Sequence, residues 1–96
     1  MNAQEPMFEL IDVVRVDPRG GYRLAFAFSD RSEGERDFGD LIAEGGEMVE
    51  PLRDPAFFAR VFLDDGVPSW PNGFDLDPIA LHQEMKAAGL LRAPAA

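Results

Sequence analysis

The chain has 96 residues, a length for one domain, and it can bury roughly 60–65% of the surface its unfolded form exposes. Eighteen acidic against nine basic side chains give a net charge of -9, spread over both halves of the sequence, so phosphate surfaces are repelled; a basic protein partner is electrostatically allowed, and charge for solubility is the simpler reading. No cysteine is present, which excludes disulfide scaffolds, zinc–cysteine sites and thiol nucleophiles.

Residues 1–7 are polar and read as a disordered N-terminus without the basic and apolar regions of a signal peptide. No apolar stretch approaches the ~20 residues that span a bilayer. The expected location is the cytoplasm, with no membrane partner. The ordered domain is predicted over 8–89, and 90–96 as a loose tail containing Pro94.

A first strand is predicted from Phe8 to Asp17 by its β-branched content. Its alternation is broken: Leu10, Val14 and Val16 share one face, while Ile11 and Val13 share the other. Either a bulge shifts the register or both faces are partly covered. Asp17-Pro18-Arg19-Gly20-Gly21 is a turn. In the second strand, Tyr22 to Ser29, Tyr22, Leu24, Phe26 and Phe28 form a core face opposite Arg23, Ala25, Ala27 and Ser29. The two alanines leave room for close approach on that side. After Asp30-Arg31-Ser32, the segment Glu33–Phe38 is almost entirely charged at alternate positions and reads as a solvated edge strand. These three strands form an antiparallel meander.

Asp40 is placed to cap a single turn through Leu41–Ala43, ahead of the Glu44–Glu47 loop. Asp54 caps a short middle helix with Pro55 at its first position. Val61–Leu63 reads as a short strand, Asp64-Asp65-Gly66 as a hairpin turn, and Val67–Trp70 as a second short strand whose Pro68 argues for an edge. Asp77 caps a C-terminal helix with Pro78 at its first position. Leu81, Met85 and Ala88 form its apolar stripe, and Gly89 ends it. The fold class is therefore α+β: a small antiparallel sheet built of a three-stranded meander plus two short strands, with a short middle helix and a C-terminal helix. The predicted core contains Phe26, Phe28, Phe57, Phe58, Val61, Leu63 and Leu81.

His82 lies off the Leu81/Met85 stripe and is expected to face solvent. One histidine without cysteine does not make a zinc site. Asn72-Gly73-Phe74-Asp75-Leu76-Asp77 clusters oxygen ligands but lacks the order and terminal glutamate of an EF-hand, and reads as a turn followed by a cap. No phosphate-binding, dinucleotide-binding, serine-hydrolase or zinc-protease motif occurs. No catalytic, metal or cofactor residue is assigned, and a small enzyme using unidentified carboxylates is the alternative to a binding module. Trp70 either closes the core or anchors a partner. The candidate partner-binding residues are Trp70, Asn72, Asp75 and Asp77 in one segment, with Glu33 and Glu35 on the charged strand. Edge pairing would allow a homodimer, although Glu33, Glu35 and Asp37 oppose symmetric pairing of their strand.

Pro51-Leu52-Arg53-Asp54-Pro55 with Phe57-Phe58, followed by Val61–Asp64 and by Trp70-Pro71-Asn72-Gly73 with Asp75-Leu76-Asp77 and Leu81, resembles the bacterial family named "domain of unknown function 2442". The resemblance runs from about Leu10 to Leu81. It implies a small α+β fold, brings no accepted catalytic residues, and suggests a regulatory, antitoxin-like pairing with the product of a neighbouring gene. Some members are fused to a helix-turn-helix domain, for which this chain is expected to have no room. The chain departs from the family pattern in having Asp30-Arg31-Ser32 where an Asp-Gly turn is usual. Ser69 takes a commonly apolar place, and the helix continues well past Leu81.

Overall fold

A computed structural model describes residues 10–93, so the expected disorder of residues 1–7 and the end of the tail, 94–96, lie outside the described residues. The main sheet is antiparallel, with β1 (Val13–Pro18), β2 (Arg23–Phe28), β3 (Glu33–Asp37) and β6 (Leu91–Arg92) in the order β1-β2-β3-β6. A second sheet is the hairpin of β4 (Phe62–Asp64) and β5 (Val67–Ser69). Three short helices, α1 (Gly39–Glu44), α2 (Pro55–Phe58) and α3 (Pro78–Ala87), complete the α+β fold, with a 3₁₀ turn over Glu50–Arg53.

The broken alternation of β1 is resolved by a bulge. Val13 pairs with Phe28 and Arg15 with Ala27, so Val14 is the extra residue. Val13 and Val16 then fall on the same face although they are three residues apart. Ile11 and Val13 are buried, while Leu10 and Val14 turn outward.

On β2 the predicted core face holds: Leu24, Phe26 and Phe28 are buried. From Phe28 a line of aromatic rings runs through Phe26, Phe38, Phe58 and Trp70 to Phe74, with neighbouring centroids 5.6–6.2 Å apart in tilted or edge-on contact. Leu81 and Met85 from α3, Ile42 from α1 and Leu52 from the 3₁₀ turn join the same core. Phe57, Val61 and Leu63 are only partly buried and pack around it. The opposite face of the sheet is charged, with ion pairs Arg15–Asp17, Arg23–Glu35 and Arg92–Glu33.

Local signals set most of the boundaries. Asp54 accepts the Ala56 amide at 3.1 Å and Asp77 accepts the Ile79 amide at 3.1 Å, each ahead of a proline at the first helical position. Asp65 (φ 52) and Gly66 (φ 83) make the two-residue turn of the β4–β5 hairpin, where both central residues need positive φ. The Gly66 carbonyl accepts the Val13 amide at 2.9 Å, and a Cβ at Gly66 would meet the Asp12 side chain at 2.8 Å. This hairpin is thereby docked on β1.

Four expectations need correction. Asp40 is not a cap: α1 begins at Gly39 after Phe38, and Asp40 lies in its first turn. β3 is not a free edge, because β6 pairs with Glu33 and Gly34. The tail is not loose from its start. Gly89 (φ 74) donates to the Lys86 carbonyl and Leu90 to the Met85 carbonyl, a Schellman reversal that lays Leu91 and Arg92 against β3. That crossing needs Gly34, since a Cβ there would fall on the Leu90 carbonyl oxygen. Finally, Pro68 is buried and β5 is flanked: the Leu76 amide donates to the Pro68 carbonyl at 3.0 Å, and Ser69 bridges Asp75.

Candidate functional site

The six residues singled out in the sequence do not form one surface. Trp70 is 1% exposed, and its indole N–H donates to the Phe58 carbonyl at 2.8 Å, so it closes the core. Asn72 secures its own turn, donating to the Met48 carbonyl and accepting the Phe74 amide. Asp77 is occupied as the helix cap, and Asp75 is exposed beside Ser69. Glu33 and Glu35 lie on the charged face of the sheet, paired with Arg92 and Arg23.

His82 does not face solvent. Its side chain is 14% exposed and stands edge-on to the Phe28 ring at 5.0 Å, with Nε2 2.9 Å from the Asp30 carboxylate. The other carboxylate oxygen of Asp30 accepts the Ser32 hydroxyl (2.6 Å) and amide (2.9 Å). Burial pushes the Asp30 carboxyl up, but the bonds from Ser32 and His82 outweigh it and leave the group below its ordinary value. The order Ser–Asp–His is wrong for nucleophilic catalysis: the hydroxyl donates to the carboxylate and does not reach the imidazole that would have to deprotonate it. These contacts tie α3 to the β2–β3 turn.

The concave feature with the most distinct chemistry lies between α1 and α3. It is a groove of about 300 Å³ whose apolar floor includes Leu41, Leu76 and Leu81, with carboxylates of Asp40, Glu44, Asp77 and Glu84 around it. Arg36 reaches into it from β3. Its guanidinium, on a side chain 13% exposed, sits 4.3 Å over the Phe38 ring and bridges Glu84 (2.8 Å) and Asp40 (3.3 Å), one from each wall. A wider cleft of about 690 Å³ shares Arg36, Asp40 and Glu84 with it and extends past Glu35 and Asp37 to Ala88 and Leu90. Together the two hollows follow α3 along its length. They are lined by six carboxylates and by two guanidinium groups, both already ion-paired.

Residues 13–87 match the model of a protein family described as "Protein of unknown function (DUF2442)". The chain belongs to this family. No curated protein and no solved structure matches it. The DUF2442 match runs from the first residue of β1 to the last of α3, so it contains both walls of the groove, Arg36 and the Asp30–His82 contact. β6 lies beyond it.

The groove was not legible in the sequence. Arg36 and Glu84 are 48 residues apart, and the local pattern around Arg36 signals only a charged strand. Among the described residues no group of three or more His, Cys, Asp or Glu is placed to hold a metal ion, and no helix is long and apolar enough to cross a membrane.

Proposed function

We propose that this DUF2442 domain is a protein-binding module that takes a basic segment of a partner protein into the groove between α1 and α3. The observation that carries this reading is the composition of the groove: an apolar floor, a ring of carboxylates, and a single arginine already shared between Asp40 and Glu84. A lysine or arginine side chain matches such a site, with its aliphatic stem over the leucines and its charge at the rim. Duplex DNA is a poor occupant, since each phosphate contact needs a cation and the surface is acidic. The setting we infer is cytoplasmic, with a regulatory role towards the product of a neighbouring gene, in line with what the family resemblance implies.

The test is capture of the tagged protein's partners from its own host, compared across two charge-reversal pairs of equal net charge. Asp40→Lys with Glu44→Lys alters the groove wall. Glu47→Lys with Asp64→Lys alters exposed positions elsewhere. A basic protein held by the wild type and the second pair but lost by the first, with melting temperatures retained, is the expected outcome. Equal capture by both pairs, or no basic partner for the wild type, overturns the reading.

A further inference from the structure

β3 is only partly covered by β6, which pairs with Glu33 and Gly34 and goes no further. The Phe38 amide donates to the Tyr22 carbonyl at 2.7 Å, and the Phe28 amide to the Ser32 carbonyl at 2.9 Å. By the alternation of an antiparallel ladder, Gly34 and Arg36 therefore turn their backbone groups towards β2, and Glu35 and Asp37 turn theirs outward. Leu90, which leads into β6, directs its amide back to the Met85 carbonyl at 2.9 Å, while the Gly34–Leu91 pairing sets its carbonyl against the Glu35 amide, so the outward groups left open are the Glu35 carbonyl and the amide and carbonyl of Asp37. The wider cleft lies against this stretch, lined by Glu35, Asp37, Gly39 and Leu90.

Resting on the groove reading above, we infer that the partner is held by its backbone as well as by its charge: an extended basic segment adds to β3 as a strand beyond Gly34. Strand addition to an open edge supplies main-chain hydrogen bonds, and side chains at alternate positions supply selectivity. Successive side chains of the added strand point to opposite faces of the sheet. On the charged face they meet Glu35 and Asp37. On the core-side face they meet Asp40 and Glu84 at the mouth of the groove. Carboxylates on both faces select a segment with lysine or arginine at neighbouring positions, not only at every second one.

A second copy of this chain does not satisfy the same edge. Antiparallel pairing of two β3 strands would set the carboxylates of Glu35 and Asp37 against those of the copy. The open stretch, about three residues or roughly 10 Å, holds few ladder bonds, so charge supplies much of the affinity and binding should weaken with salt.

The experiment titrates ¹⁵N-labelled protein with a capped octapeptide of three Arg-Arg pairs separated by single valines. Two further peptides have the same sequence but are N-methylated on one or the other alternate set of residues. The unmodified peptide should shift the Glu35 and Asp37 amides and slow hydrogen exchange at Asp37, whose amide is the open donor of this edge. One methylated peptide should bind about tenfold more weakly, because it loses the donors that face β3, and the other should bind as the unmodified one does. If both methylated peptides bind as tightly as the unmodified one, the edge inference is wrong while the groove reading stands. If no peptide shifts Glu35 or Asp37 at millimolar concentration, the edge inference is wrong, and the groove reading is decided by its own charge-reversal test.

Discussion

His82 and Asp30, 52 residues apart in the chain, meet at 2.9 Å and fasten the middle of α3 to the turn between β2 and β3. The carboxylate is shared: one oxygen faces the imidazole and the other faces the hydroxyl and amide of Ser32. The turn and the helix are thus held by the same group.

A carboxyl held below its ordinary value contributes stability that is present above its unfolded pKa and is lost as pH falls through the folded one. The stability difference between wild type and Asp30→Asn should therefore shrink as pH falls below about 4. Comparing urea midpoints in a His82→Gln background removes the titration of the imidazole, while both Ser32 bonds remain. Parallel curves for Asp30 and Asn at that position across the acid range would show that Ser32 does not hold the carboxylate.

Arg31 sits in the same turn at φ 74, a left-handed conformation that an arginine adopts at a cost and glycine adopts freely. Arg31→Gly should raise stability by roughly 0.5–1 kcal/mol, less the added freedom of the unfolded chain. Chemical denaturation measures it directly. A lower midpoint for the glycine variant would mean that the arginine side chain makes a compensating contact.

What was legible in the sequence was local. The alternation of Leu24, Phe26 and Phe28, the Asp-Pro starts of α2 and α3, and the Asp65-Gly66 turn each fix their element through a few neighbouring residues. What was hidden depends on distant partners. β6 has two residues and forms because Gly34 lets the chain cross, a pairing 59 residues apart for Glu33 and Arg92. The β1 sequence leaves a bulge and two-sided cover as alternatives, and the docked β4–β5 hairpin and the Phe28 pairing decide for the bulge. The sequence places His82 off the Leu81/Met85 stripe and so predicts exposure, yet Phe28 and Asp30 approach it from the sheet.

Trp70 is a structural residue by burial, so Trp70→Ala is not a clean probe of partner binding. Truncating it empties a site between Phe58 and Phe74 and should cost on the order of 3–5 kcal/mol, a large part of the stability of a domain this size. Trp70→Phe keeps most of the volume but leaves the Phe58 carbonyl without its donor, for about 1–3 kcal/mol. Denaturant midpoints should rank wild type above Trp70→Phe above Trp70→Ala. Equal stability for the two variants would remove the hydrogen bond from this account.

Arg36 gives the groove reading its sharpest consequence, because stability and binding should move in opposite directions. Arg36→Met keeps an aliphatic stem beside Phe38 but removes the cation between Asp40 and Glu84. The domain should lose about 1–2 kcal/mol at low salt, from the lost stacking and charge-assisted bonds. Part of that loss should return at high salt, where the repulsion between the two carboxylates is screened. The same change vacates the place of the groove's own cation, so a basic peptide should bind Arg36→Met more tightly than it binds the wild type. Calorimetric titration at low and high salt reads both effects. Weaker peptide binding by a folded Arg36→Met protein would mean that Arg36 organises the groove for something other than a cation, and the basic-partner reading would fall with it.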